Sequence, residues 1–250
     1  MIPKTVSAGL PTDKSPAGVR GKPVRERQFK ALLFDADGTL YDSTMLHFEA
    51  YQKVSRELYN FDFTEEMYFD KVVAGYKKPP QVLREFGVPC KDEDFSAKKR
   101  GYYFEIAKRK LTPTTGLLAL LQSAHDHGIP CCIVSGASRN SLEDSLKILQ
   151  IDQYFTFRIS YDDTLGRQKP DPFPYQIAVQ KLGIPAGDCC AFEDTKSGIA
   201  SARAAGVFCV GIRNAATLLE ELEDSDLIAG DFKALRYECS KGTIRVLMAD

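Results

Sequence analysis

Asp35, Asp37 and Asp42 crowd the stretch FDADGTLYDS, which follows directly on the apolar run ALLF. Carboxylates at the end of a buried strand are costly, because an unpaired buried charge must be compensated or neutralised by a proton. A second acidic pair, Glu193-Asp194, follows the apolar run CCAF. Ser135-Gly136 follows CCIV, and Lys169-Pro170 sits in the loop beyond FRIS. Singly these are weak signals: a DxD arises often by chance, Ser-Gly and Lys-Pro are common in turns, and an acidic pair suits a helix N-terminus. Together they supply what phosphoryl chemistry needs. Clustered carboxylates with backbone carbonyls and water suit a hard octahedral cation such as magnesium, which would also neutralise the aspartates. Lys169 and the Ser135 hydroxyl would offer charge and hydrogen bonds to phosphoryl oxygens.

The elements that must bring these residues together are legible in the apolar pattern. ALLF, IPCCIVS, FRISYD, DCCAFED, VFCVGI and DLIAGDF read as strands. GLLALLQSAHDHG, NSLEDSLKILQ, DPFPYQIAVQKLG and KSGIASARAAG read as the helices between them, several closed by glycine. This alternation predicts an α/β fold with a Rossmann-like parallel sheet and right-handed crossovers. Its ligand crevice lies beyond the carboxyl ends of the strands, where the acids, the hydroxyl and the lysine fall. Residues 44–110 instead carry period-3.6 patterns such as MLHFEAYQKVSRELY, and predict a small helical unit inserted after the first strand. The expected organisation is a disordered basic tail over 1–28, a core of 29–43 and 111–236, the helical insertion 44–110, and an irregular tail over 237–250.

With 44% hydrophobic and 27% charged residues and a net charge of −1, the chain lacks the basic excess of a nucleic-acid or membrane-surface binder. No apolar run approaches the roughly 18 residues of a spanning helix. The seven cysteines form no CxxC and lie mostly in apolar segments. They are expected to be buried, reduced thiols of a cytoplasmic protein, not a metal knuckle or a disulfide framework. The basic first segment lacks the apolar core of a secretory signal, and organelle import through it stays open. Nothing marks an oligomer interface, and a monomer is expected.

The stretches DADGTLYDS, IVSGAS, QKPDP and FEDTKSGIASARAAG resemble the four motifs of the haloacid dehalogenase superfamily, across about residues 29–235. The first and fourth are specific; the second and third are short. The helical insertion resembles the cap of the beta-phosphoglucomutase and phosphoglycolate phosphatase branch. This resemblance implies that Asp35 is a nucleophile forming an aspartyl-phosphate, and that Asp37 is the general acid/base. It implies magnesium held by Asp35, by the main-chain carbonyl of Asp37, and by Asp194 with Glu193 contributing. Ser135 and Lys169 match the phosphoryl-oxygen ligands, and Gly136 stands where asparagine is common, its backbone still able to donate. Gly38 and Thr39 match the turn that orients the loop, and Thr39 is grouped with the substrate-binding residues. Ala36 stands where relatives often have phenylalanine.

The implied activity is a magnesium-dependent phosphatase of small phosphorylated metabolites, sugar phosphates in particular. The alternative is a sugar phosphomutase, in which a sugar hydroxyl replaces water as acceptor and the cap decides between them. His47 lies where the mutases carry a histidine near the acid/base, although packing beside Phe48 and Tyr51 would also account for it. Lys78, in GYKKPP, matches a cap position where mutases have arginine, and Lys99 lies near a second cationic position. A solvated helix face explains either lysine alone. A dehalogenase would leave the second aspartate and the Glu193-Asp194 pair without a task, since a halide departs without a proton. A binding module that had lost catalysis would lack the nucleophile, the acid/base or the metal acids, and all are present.

Overall fold

Every residue of Ala31–Phe34, Cys131–Val134, Cys189–Glu193 and Phe208–Ile212 is buried, as strands covered on both faces must be. The computed structural model describes residues 25–248 except 76, 215, 216 and 218. Among them the strands are β1 (Arg25–Phe29), β2 (Ala31–Phe34), β3 (Cys131–Val134), β4 (Phe155–Ile159), β5 (Cys189–Glu193), β6 (Phe208–Ile212), β7 (Leu227–Ala229), β8 (Arg236–Ser240) and β9 (Thr243–Met248). The helices are α1 (Thr44–Tyr59), α2 (Glu65–Met67), α3 (Pro79–Glu85), α4 (Asp92–Lys110), α5 (Leu117–Asp126), α6 (Arg139–Leu149), α7 (Phe173–Leu182), α8 (Lys196–Ala204) and α9 (Leu219–Leu222). A π-helical stretch, Tyr68–Val73, follows α2.

Six strands form a parallel sheet in the order β4-β3-β2-β5-β6-β7, so the fold is the expected α/β, Rossmann-like one. Side chains alternate across it. Leu32 and Phe34 join Ile133, Phe192 and Phe232 on one face, while Ala31 and Leu33 join Val134, Ala191 and Tyr175 on the other. The Phe34 ring stacks on Phe192 at 4.9 Å and meets Phe155 edge-on at 5.9 Å. Burying one such ring stabilises the fold by about 1.5–3 kcal/mol.

Residues 44–110 are helical throughout their regular elements, and Phe48, Val54, Phe63, Leu83 and Phe95 form an apolar cluster of their own. Leu46 and Ala50 of α1 and Tyr103, Ile106 and Ala107 of α4 instead join the sheet's core, tying this unit down over the strand ends.

Two expectations are corrected at the chain ends. Residues 25–28, counted with a disordered tail, belong to β1, and residues 237–248, read as irregular, form β8 and β9. These three strands make an antiparallel sheet in the order β1-β9-β8. Their charges hid the pattern: Ile244 and Val246 are the buried positions, while Arg27 lies over the rings of Phe29 and Phe208 at 5.6 and 5.0 Å. Residues 1–24 lie outside those described. A smaller shift concerns FRISYD, whose strand begins at Phe155 and ends at Ile159, because Ser160 bonds Asp163 and starts a turn.

Candidate active site

At β2 the strand order reverses, with β3 on one side and β5 on the other, and such a switch point opens a crevice at the carboxyl ends. Asp35 follows β2 immediately, its N–H donating to Phe192 O at 3.0 Å. Ser135 follows β3 in the same way, its N–H held by Ile159 O at 2.9 Å. Glu193 ends β5 and Asp194 comes next. Lys169 enters from the loop before α7. Asp35, Asp37, Ser135, Gly136, Lys169 and Asp194 line one cavity of about 310 Å³.

Lys169 organises the charges. Its ammonium bonds Asp35 Oδ1, Val134 O at 2.8 Å and Glu193 Oε1 at 2.6 Å, which uses all three of its protons. Asp35, Glu193 and Asp194 are buried, and each offers an oxygen within 4.8 Å of the others. Burial raises the pKa of Asp35, with Lys169 pulling the other way. Burial likewise lifts Glu193 to about 7, and it raises Asp194 well above the carboxylate range together with the neighbouring charges of Asp35 and Glu193. Lys169 is raised despite burial, by the charges of Asp35 and Glu193. Glu193 Oε2 is buried without a hydrogen-bond partner. Three clustered carboxylates, one orphaned oxygen and a single ammonium make a donor set that fits a hard divalent cation.

Two close approaches fix the acids. Gly38 has φ of +89°, and a Cβ there would collide with Asp194 Oδ2 and with Asn214 Nδ2. Only glycine combines that backbone with that space. Asn214 donates to Asp194 Oδ2 at 2.8 Å and to Gly38 O at 3.1 Å, joining the loops after β2, β5 and β6. Sequence reasoning missed Asn214, although it lies two residues past β6, at another end of the same sheet edge. Thr39, grouped with substrate-binding residues, is fully buried and is not among the residues lining the Asp35 cavity. Its hydroxyl donates to Asp194 Oδ1 at 3.4 Å, so the contact it makes is with an acid of the cluster.

Asp37 stands at the cavity mouth, accepting from Ser43 Oγ at 2.7 Å. Burial raises its pKa, and the Ser43 bond opposes that rise. His47 Nε2 is 3.9 Å from Asp37 Oδ1, and His47 Nδ1 lies 2.7 Å from Lys99 Nζ. Burial, then the charge of Lys99, lowers His47 to about 3, while burial lowers Lys99 to about 8. Lys78 is not in the Asp35 cavity. It lines a neighbouring one of about 450 Å³ with Lys99, Arg100 and Ser138, between the helical unit and the loop after β3. Tyr76, in the same GYKKPP stretch, lies outside the described residues.

A profile of haloacid dehalogenase-like hydrolases matches residues 32–212. The chain belongs to this family. By class it is a haloacid dehalogenase-like hydrolase. It is 29% identical to the validoxylamine A 7'-phosphate phosphatase of Streptomyces hygroscopicus subsp. limoneus, over 84% of this chain and 97% of that one. It is also 29% identical to the beta-phosphoglucomutase of Bacillus subtilis strain 168, over 73% of this chain and 83% of that one. The crystal structure of CbbY from Rhodobacter sphaeroides in complex with phosphate has the same fold, with a TM-score of 0.70 at 22% identity, covering 82% of this chain and 95% of that one. The sheet of β1, β8 and β9 lies outside the matched segment.

Proposed function

We propose that this hydrolase is a magnesium-dependent phosphatase of small phosphorylated metabolites, chiefly sugar phosphates, working through an aspartyl-phosphate on Asp35. One observation carries this reading: three buried carboxylates cluster around one ammonium that bonds only Asp35 and Glu193, so when all three ionise two negative charges are left for a divalent cation to balance. Asp35, Asp194 and the main-chain carbonyl of Asp37 would hold magnesium with Glu193 beside them, and the bound ion supplies positive charge at the phosphoryl oxygens.

Asp35 attacks phosphorus, and the bond to the leaving oxygen breaks as Asp37 gives that oxygen its proton. Asp37 then takes a proton from water, whose oxygen attacks phosphorus, releasing orthophosphate and restoring the Asp35 carboxylate. Lys169 begins bonded to Asp35. Once Asp35 carries the phosphoryl group its charge falls, and that Lys169 proton becomes available to a phosphoryl oxygen. Ser135 and the backbone at Gly136 line the same cavity and would bind the other oxygens.

The Streptomyces phosphatase among the relatives supports transfer to water. A mutase is the second reading, favoured by Lys99 and His47 standing beside Asp37 and by the Bacillus relative. Lys78, in the adjoining cavity, suits a second anionic group on the substrate under either reading. Cytoplasmic residence belongs to the same proposal, supported by free thiols at all seven cysteines. Asp35→Asn is nearly isosteric and tests the mechanism: it should fold, bind phosphorylated substrate and lose turnover, along with the acid-stable mass increment of a phosphorylated wild-type chain. Wild-type turnover by this variant would remove Asp35 from the chemistry.

A further inference from the structure

Tyr175, on α7, is fully buried and touches two groups of the site at once. Its hydroxyl donates to Glu193 Oε1 at 2.6 Å, and its ring lies 5.5 Å from Lys169 Nζ. Lys169 bonds that same Oε1, also at 2.6 Å. Both donors therefore fall on one oxygen of Glu193, and Oε2 is left buried without a partner. The carboxylate cannot swing away on its other side. A Cβ at residue 198 would collide with Oε2, so Gly198 is the close wall behind it.

We propose that Tyr175 is a positioning residue: by occupying Oε1 beside Lys169, with Gly198 closing off the other side, its hydroxyl sets the rotation of the Glu193 carboxylate and holds it beside Asp35 and Asp194, the cluster that would take a divalent cation. This rests on the magnesium reading of Asp35, Glu193 and Asp194. Outer partners of metal-ligating carboxylates govern affinity by fixing orientation, and their loss weakens metal binding by about 10–100-fold. The ring adds a second effect, since its face beside the Lys169 ammonium leaves that cation directed at Asp35 and Glu193. The tyrosine sits six residues beyond Lys169, on the next helix, so one short segment delivers both the lysine and the group that orients its partner.

The test is calorimetric titration of the metal-free protein with magnesium chloride, for the wild type, Tyr175→Phe, and Val207→Ala. Val207 packs in the same apolar cluster as Tyr175, so its truncation loosens the core without removing a donor from Glu193. Tyr175→Phe should bind magnesium about tenfold more weakly and need correspondingly more magnesium for half-maximal turnover, with substrate KM little changed. Val207→Ala should lower the thermal midpoint and leave magnesium affinity alone. In a Glu193→Gln background, adding Tyr175→Phe should change magnesium affinity by less than about twofold, and a tenfold loss there overturns a role exerted through Glu193. Equal affinity in wild type and Tyr175→Phe, or an equal loss in Val207→Ala, overturns the positioning role while leaving the magnesium reading standing. A wild type that binds no magnesium overturns both.

Discussion

Lys99 Nζ stands 2.7 Å from His47 Nδ1, which leaves the ring proton on Nε2, facing Asp37 Oδ1 across 3.9 Å. The helical unit thus reaches Asp37 through a neutral imidazole. With its pKa lowered to about 3 by burial and by Lys99, His47 is neutral near pH 7. It can orient Asp37 or a substrate hydroxyl, but it is no proton switch near neutrality.

Lys99→Met removes one of the two influences that lower His47. The His47 ring resonances should then titrate at a higher pH than in the wild type, read by proton NMR. Substrate KM should rise several-fold, with kcat less affected. A His47 titration that does not move would place Lys99 away from the ring in solution.

Asn214→Ala removes the hydrogen bonds donated to an ionisable acid and to the Gly38 carbonyl, and also the one its Oδ1 accepts from the Thr217 N–H. A hydrogen bond to a charged group contributes about 1.5–3 kcal/mol. Magnesium affinity should therefore fall by about one to two powers of ten, with the fold intact by circular dichroism. Unchanged affinity would show that Asp194 holds its orientation without Asn214.

Gly38→Ala forces a side chain into a left-handed backbone conformation and against Asp194. The strain alone costs about 1–2 kcal/mol. Because catalytic groups displaced by about 1 Å can lose 100-fold in rate, turnover should drop by at least about that factor. The thermal midpoint should fall as well, by at least the few degrees that this strain implies. Activity within a few-fold of wild type would mean that the loop after β2 does not need its present path.

Metal dependence and pH are linked through Glu193, whose pKa rises from 4.5 to about 7 on folding, chiefly by burial. Below the unfolded value both states are protonated and no penalty arises. As pH climbs through 7 the folded state must also ionise, so metal-free stability falls across that window and the cost is full above it. A cation binds the ionised form, so it offsets the cost where it exists. Magnesium should raise the thermal midpoint more at pH 8 than at pH 5.5, measured by differential scanning fluorimetry against EDTA. An equal or reversed effect would count against the carboxylate cluster as the metal site.

Much of the site is written in the sequence because a parallel sheet delivers every strand end to one edge. Asp35, Ser135, Glu193 and Asp194 each follow an apolar run directly, so their convergence needs only the alternation of strands and helices. Asn214 obeys the same rule after VFCVGI, but Arg213 intervenes and an asparagine carries no charge to draw notice. Tyr175 and Thr39 are harder, since their roles lie in partners far along the chain, Glu193 and Asp194. Neither distance nor direction between such pairs follows from local pattern. The strands β1, β8 and β9 escaped for another reason. RERQF exposes Glu26, Arg27 and Gln28 in a row and RYECS puts Arg236 and Glu238 on exposed positions, so both read as a solvated tail until Ile244 and Val246 are seen packed on the core.

The most direct measurement is phosphorus NMR of the purified protein with magnesium and a panel of phosphorylated metabolites. The panel includes beta-glucose 1-phosphate and phosphoglycolate, with sugar bisphosphates added as primers. The account predicts growth of orthophosphate from a sugar phosphate, abolished by EDTA and by Asp35→Asn. A phosphate that changes position on the sugar without orthophosphate appearing, or orthophosphate that grows equally in EDTA, would contradict it.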